Sequence, residues 1–123
     1  MTDTILLTIP PDARFRGVAT LVLGGIGTRL DLPYEQIDDL QLALSGLLEA
    51  GDGEWPVSIE FGAGDELISI AVGPLRQGTA EDGGLRRVLE PLVDSFRSDR
   101  RESGEWLVLE LARSTPQGSP ATE

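Results

Sequence analysis

The chain has 123 residues, 25% of them charged and 40% hydrophobic, with ten Lys or Arg against 21 Asp or Glu and a formal net charge of -11. That length predicts one domain, and the acidity works against a nucleic-acid backbone as a partner. No apolar run approaches the roughly 20 residues of a membrane-crossing helix. Met1-Thr2-Asp3-Thr4 lacks the basic-then-apolar order of a signal peptide, so the cytoplasm is the expected compartment. Lys, His, Cys and Asn are absent altogether. Their absence excludes disulfides, a thiolate or imidazole base, a phosphate-cradling or Schiff-base lysine, and a His or Cys metal site. The acidity is uneven: from Asp31 to Gly73 there are ten acids and no base. That stretch reads either as a solvated face or as a docking surface for a basic protein.

Thr4 to Ile9 is short, apolar and β-branched and predicts a strand that Pro10-Pro11 stops. Phe15, Val18, Ala19, Val22, Leu23, Ile26 and Leu30 then recur at helical spacing, with Asp12 as a cap. This first helix carries Gly17, Gly24, Gly25 and Gly27, each costing about 1 kcal/mol against alanine. Either close packing against the second helix or a partner chain compensates, or the helix breaks at Gly24-Gly25. Asp31 to Glu35 reads as a second helix start, with a proline in the first turn and acids near the positive dipole end. Ile37, Leu40, Ala43, Leu44, Leu47 and Leu48 form its apolar stripe, and Gly51-Asp52-Gly53 ends it.

Val57, Ile59 and Phe61 alternate with Ser58 and Glu60 as a half-buried strand, and Leu67 to Val72 is its return. Gly73 to Gly84 reads as a loop. Val88, Leu89, Leu92, Val93 and Phe96 predict a third helix in which Pro91 is awkward. Trp106 to Leu111 is the final strand, and residues 114–123, rich in Ser, Thr, Pro and Gly, read as a disordered tail. The expected order is β-α-α-β-β-α-β: an α/β two-layer sandwich, a mixed sheet with three helices on one face. The domain is expected over 1–113.

From Ile9-Pro10 through Phe15, Gly17, Leu21, Gly25, Arg29, Tyr34, Ile37, Asp39-Leu40 and Ala43-Leu44-Ser45, the chain resembles, without a gap, the anti-sigma-factor serine kinases of bacteria. These belong to the gyrase and histidine-kinase-like ATPase superfamily. Val57 to Gly62, Glu90 to Asp94 and Gly104 to Leu111 extend the resemblance more weakly. It implies the histidine-kinase-like ATPase fold. It also implies partners of the sigma switch: a sigma factor, its antagonist or a kinase paralogue, and it admits a homodimer. In that register Thr20 falls where the family has a partner-contacting arginine, and Arg16, one turn earlier, offers a substitute.

The departures fall on the chemistry. Where the resemblance implies a catalytic glutamate and a magnesium-holding asparagine stand Gly46 and Ala50. Neither offers an oxygen to a proton or a metal. Where it implies an adenine-binding aspartate stands Gly73, followed by Pro74. In the second glycine box Gly83 is in register, but Leu85 replaces a glycine that lets phosphates approach backbone. Glu49 lies nearly a turn from the glutamate position. The expectation is therefore a pseudoenzyme: no catalytic residue, no cofactor, no metal, and a regulatory module that binds its partner without nucleotide. The alternative is a residual ATP-binding serine kinase. A hydrolase built on Asp38-Asp39 is disfavoured, because adjacent residues diverge on a helix.

Overall fold

The computed structural model describes residues 3–50 and 54–113. Strand β1 (Asp3–Ile9) leads through a single 3-10 turn (Ala13–Phe15) into helix α1 (Arg16–Arg29), and helix α2 (Tyr34–Ala50) runs back alongside it. Strands β2 (Val57–Ala63) and β3 (Leu67–Leu75) form a hairpin, followed by a 3-10 turn (Thr79–Glu81) and the short helix α3 (Gly83–Leu89). Strands β4 (Ser95–Arg101) and β5 (Gly104–Ala112) form a second hairpin. The sheet order is β1-β2-β3-β5-β4, and every neighbouring pair is antiparallel.

Two expectations are corrected here. The sheet is antiparallel throughout, not mixed. Two helices between β1 and β2 return the chain to the end of the sheet where β1 finished, so β2 comes back antiparallel, and the hairpins do the rest. The third helix covers Gly83–Leu89 and stops before Pro91, which can neither donate to a helical carbonyl nor clear the preceding turn. Leu92 and Val93, read as part of that helix, lie in the turn that follows it, and Phe96 lies in the extra strand β4 at the sheet edge. The element order is thus β-α-α-β-β-α-β-β. The expectation for residues 114–123 lies outside the described residues.

All three helices lie on one face of the sheet. Leu40, Leu44 and Leu47 of α2, fully buried, meet Ile68, Ile70 and Val72 of β3 and Leu107 and Leu109 of β5 in one core. The other face holds a smaller cluster of Ala71, Trp106 and Val108. No helix covers it. The Arg101 guanidinium lies 4.1 Å over the Trp106 ring and is held there by ion pairs of 2.9 Å to both Glu60 and Asp99.

Helix α1 is continuous through Gly24-Gly25, and its four glycines divide into two kinds. A Cβ at Gly27 would stand 2.7 Å from Ile37 Cγ1 of α2, and one at Gly24 would stand 2.6 Å from Gln41 Nε2. At Gly17 and Gly25 a Cβ would meet nothing within 4 Å. The close approach of α1 and α2 therefore needs Gly24 and Gly27 only. Gly27→Leu should overpack the helix pair and lower stability by about 1–3 kcal/mol. Gly17→Ala should raise it, by up to about 1 kcal/mol. Chemical denaturation of the two variants checks the contrast, and equal midpoints would show that the seam tolerates side chains.

Candidate functional site

The entry to α1 is shaped by Asp12. Its carboxylate accepts from the Arg14 backbone N–H at 2.9 Å and pairs with the Arg14 guanidinium at 2.9 Å. The helix ends in a left-handed turn at Asp31 (φ 60°), where the Asp31 N–H donates to Thr28 O and the Leu32 N–H to Gly27 O. Aspartate tolerates this conformation better than most non-glycine residues, and the double bond pattern closes the helix. Buried Leu32 then anchors the turn into α2. Within this frame Gln41 of α2 donates from Nε2 to the Thr20 carbonyl at 2.9 Å, and the Thr20 hydroxyl donates to Gly17 O.

Arg16 and Thr20, one turn apart on α1, line two different hollows. Thr20 lies in a groove between α1 and α2 with Asp38, Gln41, Leu42 and Ser45. Arg16 lines a cleft at the end of the sheet, where Trp55, Pro74 and Arg76 also converge. The Trp55 indole is fixed by donating from Nε1 to Pro74 O at 2.8 Å. Trp55 and Arg76 escaped the sequence reading because nothing local marks them. They reach Arg16 only through the β2–β3 hairpin. The cleft is largely apolar, lined by Ile9, Pro11, Leu48 and Leu75, and Asp12 lies at it together with Arg16 and Arg76.

Of the positions in register with the nucleotide contacts, Gly46 and Leu85 come together and Gly73 lies apart. Gly46 faces α3: a Cβ there would stand 3.3 Å from Val88 Cγ1 and 3.9 Å from Leu85 Cδ1. Leu85, expected to obstruct phosphates, is a buried core residue, and Ala50 packs at the core's margin. Gly83 opens α3 with free space about it. Gly73 points to the opposite face of the sheet, where an added Cβ would collide with the Trp106 ring. The sheet thus separates Gly73 from Gly46. Among the described residues no group of three or more carboxylates could hold a metal ion, and no helix is long and apolar enough to cross a membrane. The residues in register thus fall on both sides of the sheet, Gly46 and Leu85 with the helices and Gly73 against Trp106.

No protein-family model matches the chain. It is similar to three proteins named serine-protein kinase RsbW. That of Bacillus velezensis is 26% identical over 110 residues, covering 83% of this chain and 68% of the relative. That of Bacillus subtilis is 29% identical over 79 residues, 57% of this chain and 48% of the relative. That of Oceanobacillus iheyensis is 30% identical over 81 residues, 57% and 49%. The chain thus spans two thirds of the first relative's length and about half of the other two. All three relatives are named as kinases that act on serine in proteins. They correct the expectation that the chain is not an enzyme, because the similar proteins are kinases and so point to kinase activity. That expectation rested on Gly46 and Ala50, which continue the gap-free stretch, and on Gly73 and Leu85, which lie in the weaker part of the resemblance. Gly73 lies across the sheet from Gly46.

The entry turn has a pH signature. The Asp12 carboxyl is held below the usual range, first by the Arg14 backbone N–H and second by the Arg14 side chain. A lowered folded value means that any stability it lends is present above the unfolded value and lost as pH falls through the folded one. In Arg14→Gln the Asp12 value should rise only part of the way to that of a free aspartate, because the larger contribution stays with the backbone. Carbon-detected titration of the carboxyl checks this, and a full return would assign the effect to the guanidinium alone.

Proposed function

We propose that this chain is a regulator of the anti-sigma serine-kinase type, with the histidine-kinase-like ATPase fold over residues 1–113, acting in the cytoplasm. It binds a sigma factor, its antagonist or a kinase paralogue through α1 and the exposed side of α2. Arg16 and Thr20 belong to the contact. The observation that carries this reading is the similarity to the three serine-protein kinases, which covers 83% of the chain in one case. The binding step itself needs no nucleotide, because Arg16 and Thr20 line hollows apart from the Gly46–Leu85 contact. The catalytic role that the relatives favour is transfer of a phosphoryl group to a serine of the bound partner.

Capture from the native cytoplasm on immobilised chain, with and without magnesium and ATP, tests both parts. A sigma-switch protein should be recovered in either condition, with new phosphoserine only when ATP is present. Arg16→Glu should weaken capture by roughly 1 kcal/mol or more if Arg16 is central to the contact. Recovery of no sigma factor, antagonist or kinase paralogue would sink the regulatory reading. Recovery without phosphoserine would sink the kinase role alone.

A further inference from the structure

We propose that the groove between α1 and α2 seats a basic, amphipathic helix of the protein partner. One Arg or Lys of that helix pairs with Asp38, and an apolar side chain one turn along it packs on Leu42. The proposal rests on the reading that α1 and the exposed side of α2 carry the partner contact, and it names the chemistry of what binds there.

The groove is an open hollow of about 390 Å³ lined by Thr20, Asp38, Gln41, Leu42 and Ser45. Two of its donors are turned inward. The Thr20 hydroxyl donates to Gly17 O at 2.9 Å, and the Gln41 amide donates from Nε2 to Thr20 O at 2.9 Å. The Asp38 carboxylate is exposed, and among the described residues no hydrogen bond or ion pair reaches it. The hollow thus offers negative charge and acceptor oxygens, which an ammonium or guanidinium group matches.

Among the described residues no cation lines this hollow. Helix α1 is uncharged from Gly17 to Thr28, and α2 carries Glu35, Asp38, Asp39 and Glu49 without a base. Arg16, one turn before Thr20, lines the other cleft. An arginine at position 20, as the family resemblance implies, would bring a cation here. Thr20 brings none, so the charge that the partner must supply at this point is positive.

The apolar half of the surface follows along α2. Leu42, one turn after Asp38, is 59% exposed, and Val88 of α3 is 45% exposed. Val88 lies against Gly46, a further turn along: a Cβ at Gly46 would stand 3.3 Å from Val88 Cγ1. The order is therefore carboxylate, leucine, valine at steps of about 6 Å along the helix. A merely solvated acidic face has no use for the two apolar side chains, and a merely apolar patch has no use for an unpaired carboxylate. Together they fit one face of a helix with a basic residue followed at i+4 and i+7 or i+8 by apolar ones. An acidic segment is repelled by the same carboxylates, and so is a second copy of a chain with net charge -11.

Two synthetic helical peptides test this, identical except that one carries Arg and the other Glu one turn before a leucine. Fluorescence anisotropy gives the affinities, and amide chemical shifts of the full chain give the location. The Arg peptide should bind at least about tenfold more tightly than the Glu peptide, with shifts clustered at Thr20, Asp38 and Leu42. Asp38→Arg, at an exposed position, should reduce that discrimination to about twofold or less while circular dichroism stays unchanged. Leu42→Ala should weaken the Arg peptide by about fivefold without changing its dependence on salt. Equal affinities, binding of neither peptide, a preference for Arg that survives Asp38→Arg, or shifts centred elsewhere would each overturn the proposal. Capture of a sigma-switch protein that is indifferent to Asp38→Arg also overturns it and leaves the regulatory reading intact. Asp38-dependent peptide binding with no sigma-switch protein captured leaves the groove as assigned and removes that reading.

Discussion

The structure depends on how closely α1 and α2 approach each other. Gly27 lets the Ile37 side chain sit against the α1 backbone, and Gly24 leaves room for the Gln41 amide, which reaches the Thr20 carbonyl. Any larger residue at Gly27 would force the Ile37 side chain, and α2 with it, away from α1. That displacement would reach Leu40, Leu44 and Leu47, which occupy the centre of the core. Close packing makes such a core intolerant of partial shifts. The helical layer is therefore placed by two glycines and one amide, and the apolar stripe of α2 gains its burial only after that approach is made.

The far end of the seam is tied in a different way. Arg113, just past β5, donates to Gly64 O in the β2–β3 turn and to Leu30 O at the end of α1, each at 2.9 Å. Gln36 of α2 donates to Ala112 O. Carbonyls left over at a helix end and a hairpin turn are thus satisfied by one guanidinium. A similar economy closes the sheet's other end, where the Glu105 carboxylate accepts from the Gly78 N–H at 2.8 Å and from the Ser98 hydroxyl at 3.0 Å. Gly78 has φ 91°, a conformation that glycine adopts without steric cost, and Glu105 fixes the loop that carries the chain from β3 to α3.

Much of this was legible in the residues. The stripe of α2, the alternation of β2 and the apolar run of β3 each report a local periodicity, and each element forms where that periodicity lies. Strand β4 was not legible, because Ser95–Arg101 is an edge strand and an edge strand has no apolar row to announce it. Pro91 was the available signal: a proline in mid-pattern ends a helix more readily than it bends one. The face to which Gly73 points follows the period of two along β3: Val72 faces the main core, and Ala71 and Gly73 face the Trp106 side, with Gly73 still in register with Ser58 of β2. The register of β3 against β5 shifts only beyond Val72. What the sequence did not show is that Trp106, distant in the chain, fills the space over Gly73. Arg16 and Thr20 were correctly placed on α1, but their separation into two hollows depends on Trp55, Pro74 and Arg76, which are distant in sequence.

The surfaces of this small domain are sorted by charge, and the sorting follows from the fold. The base-free stretch from Asp31 to Gly73 contains all of α2. The antiparallel seam buries the apolar side of that helix and leaves Glu35, Asp38 and Glu49 exposed. Arginines collect instead at the start of α1, in the cleft with Arg76, and along β4. Between these regions α1 is uncharged from Gly17 to Thr28 because both of its sides meet protein or apolar surface: α2 on one side and the flank of β1 on the other. Oppositely charged regions attract different partners and suppress wrong ones by like-charge repulsion. An acidic face, a cleft bearing two arginines and an uncharged flank therefore differ in the chemistry of the groups they attract.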